Sequence, residues 1–197
     1  MAATRKQIAE LAVMLFEDQQ AWEAWLEENY ASAAGIWLRL AKKSSKLQTV
    51  TYLEAVESAL CYGWIDSQTK SYDVESHLQK FTPRGPRSVW SKINRAKALE
   101  LIEQGRMQPG GLAAIQIAKE NGRWEAAYDS PRTAMLPKDF QVALNQSSQA
   151  AEFFATLNSQ NRYAFLHRIQ IVKKPETRQK RIETFINMLE KHEKLYP

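Results

Sequence analysis

Apolar positions along this chain follow two rhythms. Ile8, Leu11 and Leu15, then Trp22, Trp25 and Leu26, recur three or four residues apart. That spacing predicts helices over residues 4–17 and 19–29, with Trp22 and Trp25 packed in a core or interface rather than lining a pocket. From Gly35 to Leu40 the period becomes two, with Ile36, Leu38 and Leu40 on one side and Trp37 and Arg39 on the other, as in a half-buried strand. The polar stretch Lys42–Gln48 reads as an exposed loop or flap. Thr51 with Glu54 three residues on is a capping-box start for a helix that Gly63 ends. Alternation resumes at Trp64–Tyr72 and, after a turn near Asp73–Ser76, at His77–Phe81, predicting a hairpin that pairs with strand 35–40. A strict period of two sets Trp64, Asp66, Gln68, Lys70 and Tyr72 on one side.

Beyond the hairpin the punctuation is proline and glycine. Pro83 and Pro86 stiffen Thr82–Arg87, and Ser88 suits the N-cap of an amphipathic run Val89–Glu103. Gly105 and Pro109-Gly-Gly111 break the chain, and a further helix, Leu112–Glu120, closes at Asn121-Gly122. After a boundary at 129–136, Pro137 opens Lys138–Leu144, Ser147 or Ser148 caps Gln149–Leu157, Ser159 caps Asn161–Val172, and Pro175 opens Glu176–Lys194. The expected fold is α+β and predominantly helical. A small antiparallel sheet (hairpin 64–81 plus strand 35–40) lies in a mixed N-terminal lobe, 1–130, followed by a helical lobe, 137–197.

Composition narrows the chemistry. The single cysteine, Cys61, excludes an internal disulfide, and its flanks Leu60 and Tyr62 suggest a buried thiol. No apolar run approaches the roughly 20 residues of a membrane span. Arg5 and Lys6 resemble the start of a signal peptide, but Glu10, Glu17 and Asp18 interrupt it, so a cytoplasmic location is expected. The net charge of +5 is concentrated in two blocks. Residues 80–106 hold seven Lys/Arg against two Asp/Glu, and residues 162–197 nine against four. Such blocks favour an anionic partner: a phosphate metabolite, nucleic acid or an acidic protein.

His77, His167 and His192 are too far apart for a local metal motif, and no glycine-rich nucleotide loop is present, so no cofactor is expected. Ser88 or Ser91 with His77 and Asp66 can be written as a hydrolytic triad, yet geometry and not order defines one. The densest chemistry lies in Cys61–Asp66 and Phe81–Ser91. There Arg84 and Arg87, beside a helix N-terminus, make an anion site, with Asp66 orienting an arginine or holding a ligand donor. Trp64 and Trp90 would wall this site, and Ser88, Ser91 and Asn94 complete its polar set. The alternative is that the arginines pair with Asp66 or Glu75 and Ser88 only caps. The basic stretch Lys173–Arg181 invites nucleic acid, but Glu176 and Glu183 are interspersed and no recognised nucleic-acid motif appears.

Ala59-Leu-Cys-Tyr-Gly-Trp-Ile-Asp66, Phe81-Thr-Pro-Arg84, Pro86-Arg87-Ser88, Trp90-Ser91 with Asn94, Gly105-Arg-Met107, Gly122–Tyr128 and Lys173–Arg178 together resemble the YdeI/OmpD-associated (OmdA-like, bacteriocin-protection) family. The resemblance runs from about Trp22, and residues 137–195 are similar to the short helical domain that names the family. It implies resistance to antimicrobial peptides or bacteriocins and association with an outer-membrane porin. The expectation is therefore a binding or stress-protection protein. A small anionic ligand or a protein partner would sit between hairpin 64–81 and helix 89–104. One alternative is an enzyme acting on a small anionic substrate, with Asp66 as general base and the arginines as electrophilic stabilisers. Another is a scaffold whose basic C-terminal helix binds an acidic protein or nucleic acid. Oligomeric state stays open.

Overall fold

The structure is a computed structural model and describes residues 11–197. The chain divides into two compact units, one of residues up to Ser88 with Ala96–Asn121, the other of Val89–Arg95 with Gly122–Pro197.

In the first unit the elements are β1 (Val13–Met14), α1 (Gln19–Asn29), β2 (Ile36–Ala41), α2 (Tyr52–Cys61), β3 (Trp64–Ser71), β4 (Ser76–Pro83) and α4 (Pro109–Glu120), with α3 (Lys92–Glu103) crossing the division. The expected helix 4–17 lies outside the described residues as far as Glu10; within them, Val13–Met14 is a strand instead. That strand pairs parallel with β2, Val13 opposite Trp37, so the sheet is mixed rather than antiparallel, in the order β1-β2-β4-β3. The hairpin and its pairing with β2 form as the alternation predicts, Ile36 opposite Phe81 and Asp66 opposite Phe81.

One irregularity reverses an expectation. Between Asp66 and Thr69 the register of β3 shifts by one residue against β4, a β-bulge, so that Lys70 stands opposite Leu78. The bulge changes the phase of the strand. Trp64 and Asp66 share the face of Phe81 and Leu38, whereas Lys70 belongs to the opposite face with Trp37, Arg39 and Lys80.

The inner face packs on α1 and α2. Trp22, Leu26, Leu38, Trp64 and Phe81 are at most 1 % exposed, each such side chain contributing about 1.5–3 kcal/mol by leaving water. Trp22 lies 5.7 Å from the Phe81 ring and stacks on Trp25 at 5.4 Å. Both helices start as their sequences dictate. Asp18 accepts from Ala21 N at 2.8 Å, and Thr51 with Glu54 closes a reciprocal capping box.

Pro109-Gly-Gly111 is not a break but the first turn of α4, with Pro109 at a position where its missing N–H costs nothing. The glycines let this turn press on the end of α2. A Cβ on Gly110 would stand 2.7 Å from the Tyr62 carbonyl oxygen, and one on Gly111 would meet the carbonyls of Leu60 and Cys61. Gln108 N donates to Cys61 O at 3.0 Å. Beside this junction Arg106 bridges Glu57 and Glu23, and Ser58, fully buried, donates to the same Glu23 oxygen at 2.8 Å.

The second unit begins with Trp90, edge-on to Trp124 at 4.9 Å. Ser91 and Tyr128 form an isolated parallel bridge. The helices are α5 (Lys138–Asn145), α6 (Ser148–Thr156), α7 (Ser159–Gln170) and α8 (Pro175–Glu190) around Phe140, Leu144, Phe165, Ile169, Phe185 and Leu189. Ser147 caps α6 as expected, but Asn158, not Ser159, caps α7, accepting from Asn161 N at 2.8 Å. Among the described residues no helix is long and apolar enough to cross a membrane.

The α2–α4 junction makes a paired prediction. Gly111→Ala should lower the unfolding free energy by about 2–3 kcal/mol, because the backbone it meets cannot yield as a side chain would. Gly85→Ala, with nothing within 4 Å of the added Cβ, should stay within about 0.5 kcal/mol of wild type. Urea denaturation of the two variants checks both.

Candidate functional site

The residues singled out between Cys61 and Asn94 fall into both units. Trp64, Asp66, Arg84, Arg87 and Ser88 belong to the first; Trp90, Ser91 and Asn94 belong to the second. Trp64 is 1 % exposed, edge-on to Trp22 and Trp25, and donates its indole N–H to Tyr30 O at 3.0 Å, so it acts as core. Trp90 is likewise buried. Asp66 accepts from the Tyr52 hydroxyl at 2.9 Å and from Gln79 at 3.4 Å. Arg84 has Nε and Nη2 closed off from solvent, and its backbone N–H donates to Gly63 O at 2.9 Å. Arg87 is exposed.

The helix begins three residues later than Ser88 would start it. Ser88 closes a turn, accepting from Gly85 N at 3.1 Å and donating its own N–H to Gly85 O at 2.9 Å. Ser91 is the residue that caps α3, accepting from Asn94 N at 3.0 Å. Trp90 is held out of the helix because its carbonyl accepts from Tyr128 N at 2.9 Å. Cys61 is buried, and burial pushes its thiol up to about 11, which removes it as a nucleophile at neutral pH.

A concave site of ligand size lies within the second unit, on α7. It encloses about 420 Å³ and is lined by Ser159, Tyr163, His167 and Arg168 with Pro131 and Tyr196 among its walls. The spacing of Ser159, Tyr163 and His167, four residues apart, puts them on one helix face, while Phe165, Leu166 and Ile169 turn to the core. The chain end is brought to this face by Asn161, 1 % exposed. Its Oδ1 accepts from Leu195 N at 3.2 Å and Tyr196 N at 3.0 Å, and its Nδ2 donates to Tyr196 O at 3.3 Å. A buried amide satisfied this fully is a structural fastener.

The site's electrostatics are one-sided. Arg168 donates to Ala164 O at 3.1 Å and to the Tyr196 hydroxyl at 3.3 Å, and lies 5.3 Å from the Tyr196 ring. Among the described residues no carboxylate lines the cavity. Burial, with the Arg168 charge beside it, lowers the His167 pKa from its ordinary 6.5, so the imidazole is neutral at pH 7. Tyr128 packs edge-on against that ring at 4.5 Å. Tyr163 donates to Asp129 O at 2.9 Å, and burial, reinforced by Tyr128 and Asp129, pushes its hydroxyl up to about 12. Asp129 itself is held low by Lys92, whose ammonium lies 2.6 Å away, and by Gln170. The cavity thus offers one cation and several neutral donors, the donor set of a carboxylate or phosphate site. Among the described residues no cluster of His, Cys, Asp and Glu could hold a metal ion.

Residues 14–114 match the family model described as Domain of unknown function (DUF8412), more than half of the chain. The chain belongs to the DUF8412 family. Residues 133–192 match the model described as Bacteriocin-protection, YdeI or OmpD-Associated. The YdeI/OmpD-associated resemblance is therefore borne by α5–α8, whereas the motifs at 59–94 fall inside the DUF8412 region. Most of the α7 cavity, Ser159 to Arg168, lies within the YdeI/OmpD-associated match. No curated protein and no solved structure matches the chain significantly.

The cavity residues escape a reading of the sequence because helical spacing explains them as well as function does. The one available signal is the 159/163/167 stripe, polar and aromatic where a solvated face would carry charge.

A pH dependence follows. Because the folded-state pKa of His167 is depressed, its contribution to stability is complete above the unfolded value, about 6.5, and is lost as pH falls through the folded one. The urea midpoint should drop between pH 7.5 and 5 in wild type, and by less in His167→Gln. Titration of the His167 ring by NMR should show a midpoint below 6.5.

Proposed function

We propose that the protein is a binding protein for a small organic anion, a carboxylate or phosphate monoester, taken into the α7 cavity. The observation that carries this reading is the state of Arg168. Arg39, Arg95, Arg106 and Arg178 each face a carboxylate, at 2.7, 3.8, 2.9 and 2.6 Å. Arg168 faces none among the described residues, yet it is half-buried at the wall of a cavity with tyrosine and serine hydroxyls and a neutral imidazole. A bound anion would take the free edge of the guanidinium, with His167 as donor or acceptor and the Tyr196 ring as a lid on its apolar part. The bacteriocin-protection name of the family model over these helices supports placing such binding in a protective, stress-related role. A second reading keeps the anion on the Gly85–Ser88 turn, where exposed Arg87 likewise has no carboxylate partner among the described residues.

Calorimetric titration with a panel of carboxylates and phosphate monoesters tests this, using wild type, Arg168→Ala and Arg87→Ala. Loss of a charge-assisted hydrogen bond should weaken the best ligand about 10- to 100-fold in Arg168→Ala and leave Arg87→Ala unchanged. The reverse pattern moves the site to the turn, and equal affinity in all three proteins removes both readings.

A further inference from the structure

The face of the sheet turned away from α1 and α2 carries an arrangement that the α7 cavity does not involve. Trp37 is half-buried at its centre, with Lys80 directly opposite it on β4. The ammonium of Lys70 lies 4.1 Å from the Trp37 ring centroid and that of Lys80 5.9 Å. Two residues along β2, Arg39 stands 5.3 Å from the ring of Tyr72, which is 52 % exposed. Neither Lys70 nor Lys80 forms an ion pair among the described residues, and only Arg39 is neutralised, by Asp73 at 2.7 Å.

We infer that this face is a binding platform for single-stranded nucleic acid. The chemistry on it is that of stacking platforms generally. Aromatic rings on a sheet surface accept base faces regardless of sequence, and interleaved cations follow the phosphates. An acidic peptide would be held by the cations but would leave Trp37 and Tyr72 without a planar partner. A duplex hides its base faces inside the stack and offers the rings nothing to stack on. The lysine ammonium now over Trp37 is the group a base would displace, moving outward to the phosphate beside it. Lys70 reaches that position only because of the bulge at 66–69, which turns it to this face.

The test is a fluorescence-anisotropy titration of the full chain with 12-nucleotide oligo-U RNA and oligo-dT, single-stranded and as duplexes, between 50 and 200 mM salt. The expected result is binding of one or both single strands, the two arms deciding between RNA and DNA, with duplexes weaker. Trp37→Ala should weaken binding about 10-fold, Trp37→Phe should restore most of it, and Lys70→Ala/Lys80→Ala should reduce the slope of log K against log salt by about 1.4. Lys70 is exposed and Lys80 half-buried, neither in an ion pair among the described residues, so the double variant decides the question even where Trp37→Ala fails to fold. Absence of binding at 50 mM salt overturns the inference. So does binding whose affinity and salt slope survive these changes, which would assign it to the basic stretch Lys173–Arg181, or binding that prefers the duplex.

Discussion

Two backbones in direct contact set the geometry of the first unit. The opening turn of α4 lies against the last turn of α2 so closely that Gly110 and Gly111 have no room for a side chain, and Gly63, at φ +76°, completes the junction from the other side. Much hangs on that contact. It fixes where α2 stops, hence where β3 begins at Trp64, and its ends are tied by Gln108 N to Cys61 O and Arg84 N to Gly63 O. Arg106, immediately before it, draws Glu57 of α2 and Glu23 of α1 to one guanidinium. A close backbone contact tolerates no intermediate positions, so the sheet inherits its alignment from a pair of glycines that pack no side chain at all.

Where local chemistry decided the structure the sequence was mostly legible, the cap of α7 on Asn158 rather than Ser159 excepted. Thr51 and Glu54 satisfy each other within one turn, Ser147 caps α6, and the alternation of Ile36–Leu40 with His77–Phe81 sets the register of β2 on β4. Where a distant partner decided it, the reading failed. Ser88 and Ser91 are equally good caps by type, and the choice falls to Ser91 because Trp90 is held by Tyr128, nearly forty residues away in sequence. The strand at Val13 exists because an edge of β2 is available to it, a fact no window around Leu11 and Leu15 contains. Of the proposed site residues, Trp64 and Trp90 carry signals that a core and a pocket wall share, and burial separates them only once the fold is known.

Helix α7 shows how one element serves two purposes without compromise. Its apolar residues Phe165, Leu166 and Ile169 belong to the core of the helical unit, while Ser159, Tyr163 and His167 face the cavity. Asn161 works between those faces, converting the chain end from a loose tail into a wall. The neutrality of His167 and the protonation of Tyr163 follow from the same burial that the core imposes, so the electrostatic character of the cavity is a by-product of packing.

The bulge between Asp66 and Thr69 has a bearing on how this chain tolerates change over time. It lets a single strand present Trp64 to the interior at one end and Lys70 to the exterior at the other, which an uninterrupted strand cannot do. Point replacements at Ser67 or Gln68, both exposed, alter little that the strand depends on. Deleting either one would remove only the extra residue and straighten the kink, leaving Thr69 opposite Gln79 and Lys70 opposite Leu78. In descendants of this sequence, the hairpin should therefore drift freely in spelling at 67 and 68 and survive the loss of one letter there, because the bulged and the straightened strand both keep Lys70 on the outer face.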